Sequence, residues 1–398
     1  MKIKFTSAEK KSIFGMSLVL SSRMLGLSLL LPVFSIYISG MSEATPFLVG
    51  MTLGAYGLTQ TLFQVPFGIM GDRYGRKLVV ITGLAMFAVG SIIAALTNDI
   101  YILMCARFLQ GSGAIASSCL AWIADTTNEK YRNTAMAFIG MSIGMSITLG
   151  LILGPLVGGM WDVKYLFWIC LFLSLVSITY ISIFMKTPTN DPSKQKTISN
   201  PAFSHWSDVL KGGGLWRLDF AGFIKNICMT SVFFAVPLIL KRHYHMTHMW
   251  KIYVPMTILG MFVMMGCSKQ ADKGYARQFM ALGFAFITVS VGIIAFSEDH
   301  LTRLICGFFT YYVGIAILEP ILPSAVSRLA PKNYTGTTLG VFNMSQYFGT
   351  FCGGILAGLM ITLGFEHLFL SLSGAAFVAT IIVAFVKTDG LKRSNPVP

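Results

Sequence analysis

Four ionisable side chains fall inside long apolar stretches of this 398-residue chain: Arg23, Arg107, Lys225 and Glu319. A charged group at the centre of a hydrocarbon layer costs roughly 2.5–3.5 kcal/mol or more, so such groups usually face a wet interior or one another. One carboxylate among three cations can take up and release a proton, and a lysine beside it supplies the opposite charge once the proton has left. Lys225 and Glu319 each lie about eight residues from the same end of their stretches, which lets them meet. Pro320, next to Glu319, withholds a backbone N–H and softens the helix there. Gln110, one turn from Arg107, is predicted to line the same cavity, with Arg107 setting the charge balance near the proton path. The competing reading of the Lys225–Glu319 pair is a fixed structural tie between two helices. The excess of cations fits an anionic substrate and fits equally a device for tuning Glu319.

Other chemistry is scarce. His243, His245 and His248 are close enough to suggest a metal or pH-sensing site. No cysteine or carboxylate accompanies them, so an ordinary polar loop is expected, with no metal or other cofactor. The seven cysteines all lie in or at the edge of apolar stretches and read as small buried thiols rather than a disulfide framework. No Gly-Lys dipeptide occurs, so the phosphate-cradling G-x-x-x-x-G-K-[ST] loop of nucleotide-driven pumps is missing. No Ser/His or metal-ligand set sits at membrane depth, which argues against an enzyme. Asp219 and Asp125 stand at the ends of apolar stretches, where solvated carboxylates are the expectation.

These side chains need a scaffold, and the composition specifies it. The chain is 55% hydrophobic and only 12% charged, against about 25% charged in ordinary soluble domains. Apolar blocks of roughly 20 residues match the thickness of a bilayer core. Twelve transmembrane helices are predicted, at about 13–39, 46–70, 78–97, 101–124, 134–159, 165–185, 217–240, 252–269, 278–296, 303–327, 335–362 and 366–386. The fold class is therefore all-α membrane protein. Of the 30 Lys and Arg residues, 22 fall on the side that holds both termini and about 5 on the other. That bias places the termini in the cytoplasm and the protein in the cytoplasmic membrane. The formal charge of +14 is dispersed over these connections, so it points to membrane orientation and not to nucleic acid. The one long connection, 187–216, carries Pro188, Pro192, Pro201 and Gly212–Gly214. It divides six-helix bundles at 1–186 and 217–398 as a cytoplasmic linker. Within it Phe203, Trp206, Val209 and Leu210 have the spacing of a surface-lying helix, with a plain loop as the alternative.

The halves echo each other. Tyr131, Thr134, Met141, Ser142 and Gly150 recur 203 residues on as Tyr334, Thr337, Met344, Ser345 and Gly353. Asp72, Arg73 and Lys77 recur 200 residues on as Asp272, Lys273 and Arg277. Internal repeats around a midplane site are the usual plan of secondary carriers. The sharpest local signal is Gly68-Ile-Met-Gly71-Asp72-Arg73-Tyr74-Gly75-Arg76-Lys77, between helices two and three. Any cytoplasmic connection would be basic and Gly-rich; an acid set between two glycines and two arginines in this order is not explained that way. Gly75 permits the tight turn, and Gly68 and Gly71 permit close helix approach. A second run, Gly150-Leu-Ile-Leu-Gly154-Pro155-Leu156-Val157-Gly158-Gly159, places small residues and a bend in helix five.

The first run resembles the G-x-x-x-D-R-x-G-R-[RK] signature of the major facilitator superfamily at every fixed position. The second resembles the helix-five signature of facilitator antiporters. Arg107-Phe-Leu-Gln110-Gly111-Ser112-Gly113-Ala114 resembles the R-x-x-Q-G-x-G-A segment, and Leu25-Gly26 with Pro32-Val33 resembles a stretch of drug:proton antiporters. The resemblance covers nearly the whole chain and is nearest to the YajR-like branch, although its extra C-terminal soluble domain is not expected after residue 386. The resemblance implies two six-helix bundles, a central cavity lined by helices one, four, seven and ten, and a latch. In that latch Asp72 faces the start of helix eleven near Thr337, and Arg76 pairs with Asp125. It further implies a monomeric, proton-driven exporter of small, amphipathic or drug-like molecules by alternating access. A symporter or uniporter for uptake is the first alternative; a non-transporting membrane sensor or scaffold is the second.

Overall fold

The computed structural model describes residues 5–185, 214–330 and 335–386. All twelve predicted crossings are helical, and two of them are broken. The first consists of α1 (Ser7–Leu30) and α2 (Phe34–Ile38), separated at Pro32, whose missing N–H cannot continue the ladder. Then come α3 (Pro46–Tyr74), α4 (Arg76–Leu96) and a fourth crossing split into α5 (Ile100–Ser112) and α6 (Ala116–Thr126). The first half closes with α7 (Glu129–Met160) and α8 (Lys164–Phe184); the second holds α9 (Leu215–His243), α10 (Trp250–Gln270), α11 (Ala276–Ala295), α12 (Leu301–Leu329), α13 (Thr335–Met360) and α14 (Phe365–Ala384). The linker expected at 187–216, with its candidate surface helix, lies almost entirely outside the described residues, as does Tyr334.

Local signals explain the boundaries. Thr6 and Glu9 form a reciprocal capping box that starts α1. Thr45 caps α3, and Pro46 occupies its first turn, where the lost N–H has no helical partner to miss. Gly75 turns α3 into α4 at φ +91°, and Gly274 makes the matching turn between α10 and α11 at φ +106°. Both angles belong to glycine.

Helices α1, α4, α5, α6, α7 and α8 pack mainly on one another and on α3, and α9 to α14 mainly among themselves, while α3 and α13 divide their contacts about evenly between the two sets. The principal seam between the two sets joins α3 to α13. A Cβ on Gly50 would overlap the Gly354 carbonyl oxygen, one on Gly54 would lie 2.8 Å from the Phe351 oxygen, and one on Gly358 would lie 2.6 Å from the Pro46 oxygen. Only glycine lets these backbones touch. A second seam joins α7 to α10 and tapers. At the end away from the termini, a Cβ on Gly159 would lie 2.8 Å from the Met246 oxygen. Further along, one on Gly144 would be 3.9 Å from the Met264 methyl, and those on Gly140 and Gly266 would meet nothing within 4 Å. The halves therefore close at the end away from the termini and splay at the end that carries them. Among the described residues nine stretches are apolar and long enough to cross a bilayer by composition alone, one of them (Met246–Ala295) holding two crossings. The seam helices α3 and α13 are not in that set, because a contact between helices is built from Gly, Thr and Gln where lipid would demand Leu and Phe.

Candidate functional site

Lys225 on α9 and Glu319 on α12 do meet. The Lys225 ammonium donates to Glu319 Oε2 at 2.6 Å and to Gln346 Oε1 on α13 at 3.3 Å. The lysine side chain is 3% exposed while the carboxylate is 40% exposed, so water reaches the acid and not the base. Asn226 donates to Thr350 Oγ1 at 3.2 Å, extending the polar face that α9 turns to α13. Gly222 allows this approach, since a Cβ there would lie 2.6 Å from the Phe342 ring and 3.1 Å from Gln346.

The two arginines differ from expectation. Arg23 and Arg107 do not face a wet cavity; both are buried within the first six crossings. Arg23 donates to the Gly113 carbonyl, to Tyr56 Oη at 2.8 Å and to Gln60 Oε1 at 3.0 Å. Arg107 lies over the Phe34 and Tyr56 rings, 5.2 Å from each centroid. It donates to Gln110 Oε1 at 2.7 Å, and Gln110 in turn donates to Ser91 at 2.9 Å. Gln110 is fully buried and so does not line a cavity. The physical reason is packing: neutral oxygens and aromatic faces surround both guanidinium groups from inside, leaving the Nε of each without a partner. The Tyr56 ring thus sits between the two arginines and also meets Tyr347 of α13 edge-on at 6.4 Å. This tyrosine pair links the arginine cluster to the helix that holds Gln346. The four charges consequently form two groups joined through aromatic rings, not a single chamber. The shallow hollow lined by Ser42, Thr97, Asn98 and Asp99 lies at the opposite end of the molecule.

At the splayed end, Arg76 pairs with Asp125 at 2.9 Å and with Asp72 at 3.4 Å. Arg73 stacks on Tyr74 and belongs to neither pair. Gly71 approaches Ser118, where a Cβ would lie 2.7 Å from its hydroxyl, and Gly68 approaches Ser117 at 3.5 Å. Among the described residues Asp72 has Arg76 as its partner, and no hydrogen bond joins it to the start of α13 near Thr337. In the second half the corresponding turn is tied with the polarity reversed: Asp272 of the turn accepts from Arg328 on α12. The helix-five glycines press α7 on α1, where Cβ atoms on Gly150 and Gly154 would overlap Ser28 and the Leu29 carbonyl. Pro155 sits inside α7, and Gly158 faces Val33 and Val163 at 3.4 Å. Asp219 departs from a solvated end residue: its Oδ1 is buried without a hydrogen-bond partner, because α9 begins at Leu215 and α13 covers this turn. His243 faces the Glu298 carbonyl at 3.3 Å, and His245 and His248 share Thr247. No group of three or more potential metal ligands occurs among the described residues.

The sequence reading passed over Tyr56, Gln60, Gln346 and Tyr347. A signal was available for one of these: Gln60 stands one turn from Gln64 on an otherwise apolar helix, and amides at membrane depth demand partners. Known proteins decide the family. The sequence profile of the Major Facilitator Superfamily matches residues 16–353. This chain belongs to the Major Facilitator Superfamily. It is similar to the inner membrane transport protein YajR of Escherichia coli, 32% identical over 89% of this chain and 78% of that protein. It is also 23% identical to multidrug resistance protein 2 of Bacillus subtilis, over 91% and 92% of the two chains. Among solved structures, the human organic anion transporter MFSD10 superposes with a TM-score of 0.71 at 17% identity, covering 95% of this chain and 100% of that one. A D-xylose-proton symporter superposes with a TM-score of 0.75 at 11% identity, covering 97% and 99%. These two establish the major facilitator fold and no more. The chain is a membrane transporter and not an enzyme.

Proposed function

We propose that this major facilitator is a proton-coupled exporter of small molecules, working by alternating access between halves at 1–186 and 217–398. The observation that carries this reading is the 2.6 Å Lys225–Glu319 pair, in which the carboxylate is water-accessible and the ammonium is sealed. A proton arriving at Glu319 neutralises the acid and leaves Lys225 with neutral acceptors only, the Gln346 oxygen and the carbonyl oxygen of the acid. A buried ammonium without a counter-charge is costly, so α9, α12 and α13 rearrange. Gln346 neighbours Tyr347, which touches Tyr56 across the seam, so that rearrangement reaches the contact between halves. Loss of the proton restores the pair and the starting state. The charge presented to water is the carboxylate, while both arginines are buried away from it; this favours cationic or neutral, donor-bearing solutes over anions.

The splayed end carries the termini and most of the basic connections, so it faces the cytoplasm. The geometry is then that of the inward-open state, in a monomer of the cytoplasmic membrane driven by the proton gradient without a cofactor. The glycine run of helix five supports export by sealing α7 against α1 and against the Met246–His248 turn at the outer end. Arg76, Asp72 and Asp125 act as the cytoplasmic latch. The test is counterflow in proteoliposomes with an imposed pH gradient, using lipophilic cations as first candidates. Export predicts solute accumulation against the proton gradient and its loss in Glu319→Gln. Solute movement in the same direction as protons would instead identify a symporter.

A further inference from the structure

Arg23 has no carboxylate partner among the described residues, and neither has Arg107. Both are at least 96% buried, and on each the guanidinium Nε has no hydrogen-bond partner. Two buried cations with only neutral acceptors leave positive charge uncompensated inside the first six crossings, which a protein interior tolerates poorly. Arg23 also points at the break of the fourth crossing. It binds the Gly113 carbonyl, which is held as well by the Ile115 N–H at 2.9 Å, and α6 starts three residues on at Ala116. The cap residue Ile115 offers no side-chain acceptor, so the first N–H groups of this 11-residue helix gather positive partial charge there. Facing the break is one stripe of α3. Gln60 holds Arg23; Gln64, a turn further, is 3% exposed with both amide atoms unpartnered; Gly68, another turn on, lies against Ser117, whose hydroxyl is unpartnered too.

We infer that the break in the fourth crossing is a binding site for a small monovalent anion of the size of chloride. Its donors are Arg23 Nε, Gln64 Nε2, the Ser117 hydroxyl and the first backbone N–H groups of α6. The three side-chain donors have no partner within the protein, and the uncapped start of α6 adds the partial positive charge that recruits anions at helix starts. The anion neutralises Arg23 and pins the irregular Gly113–Ile115 segment. It is distinct from the Lys225–Glu319 pair, which lies in the other half.

The test uses the detergent-purified full chain in sodium chloride and in sodium gluconate at equal ionic strength. The apparent melting temperature is expected to be about 2 °C or more higher in chloride, saturating with concentration. Chlorine NMR is expected to show protein-dependent line broadening that bromide displaces. Gln64→Glu supplies a negative charge in place of the ion, so it should fold, lose the line broadening and melt alike in both salts. Equal melting of the natural protein in the two salts without line broadening would overturn the proposal, leaving the donors to water. Chloride dependence that persists unchanged in Gln64→Glu would overturn the placement of the ion.

Discussion

Replacing Glu319 by glutamine keeps the shape of the side chain and removes its charge from a lysine that cannot reach water. Removing one member of a fully buried ion pair costs about 3–5 kcal/mol, and an exposed pair contributes about 0–1 kcal/mol. Here the ammonium side chain is 3% exposed and the carboxylate 40%, so the loss should fall between these limits, at about 2 kcal/mol. The Gln346 oxygen at 3.3 Å and the new amide oxygen retain part of the hydrogen bonding, which keeps the cost from the upper limit. Two observables follow. Thermal unfolding in detergent should show Glu319→Gln destabilised, and Lys225→Met in the same background should recover much of the loss, because the stranded ammonium is gone. Proteoliposomes should show no substrate-induced proton movement in Glu319→Gln, with downhill solute movement retained or faster. Undiminished proton movement in Glu319→Gln would refute the coupling role. Strict additivity of the two substitutions in stability would refute the claim that the pair is energetically joined.

Three further outcomes are expected. Gly50→Ala puts a methyl into the Gly354 carbonyl and should part α3 from α13 at a cost of roughly 1–3 kcal/mol; spin-label distances between the outer ends of these helices should lengthen. Asp125→Asn should change stability by less than about 1 kcal/mol, since the Arg76 partners are 43% and 44% exposed, yet alkylation of cysteines introduced at the end that carries the termini should speed up as the proposed latch loosens. Gly75→Ala meets no atom within 4 Å, so any loss, about 1–3 kcal/mol, comes from its φ of +91° alone; an unchanged melting temperature would show that the turn relaxes.

The helices were legible because lipid imposes length and apolarity on each crossing, and the basic residues between them fixed their number. The Lys225–Glu319 contact was legible for a related reason: an acid and a base at equal depth on two interior helices have few other partners. The burial of Arg23 and Arg107 was not, because the groups that satisfy them are uncharged: a tyrosine ring, a backbone carbonyl and two glutamines leave no charge pattern to read. The break in the fourth crossing was missed for lack of a proline. Gly111 and Gly113 mark it, but glycine is equally the mark of close helix packing, and Gly111 does press on Tyr56. Asp219 misled because nearness to a helix end suggests solvent, and only the placement of α13 shows which end residues are covered.

The interrupted fourth crossing has a mechanical consequence. Its outer rod carries Arg107 against Phe34 and Tyr56; its inner rod carries Asp125 and, through it, Arg76. Three non-helical residues between them act as an elbow. In the proposed latch mechanism the inner rod swings when its tie to Arg76 lets go while the outer rod stays anchored, so that gate movement and cation anchoring, though threaded on one stretch of chain, need not move together.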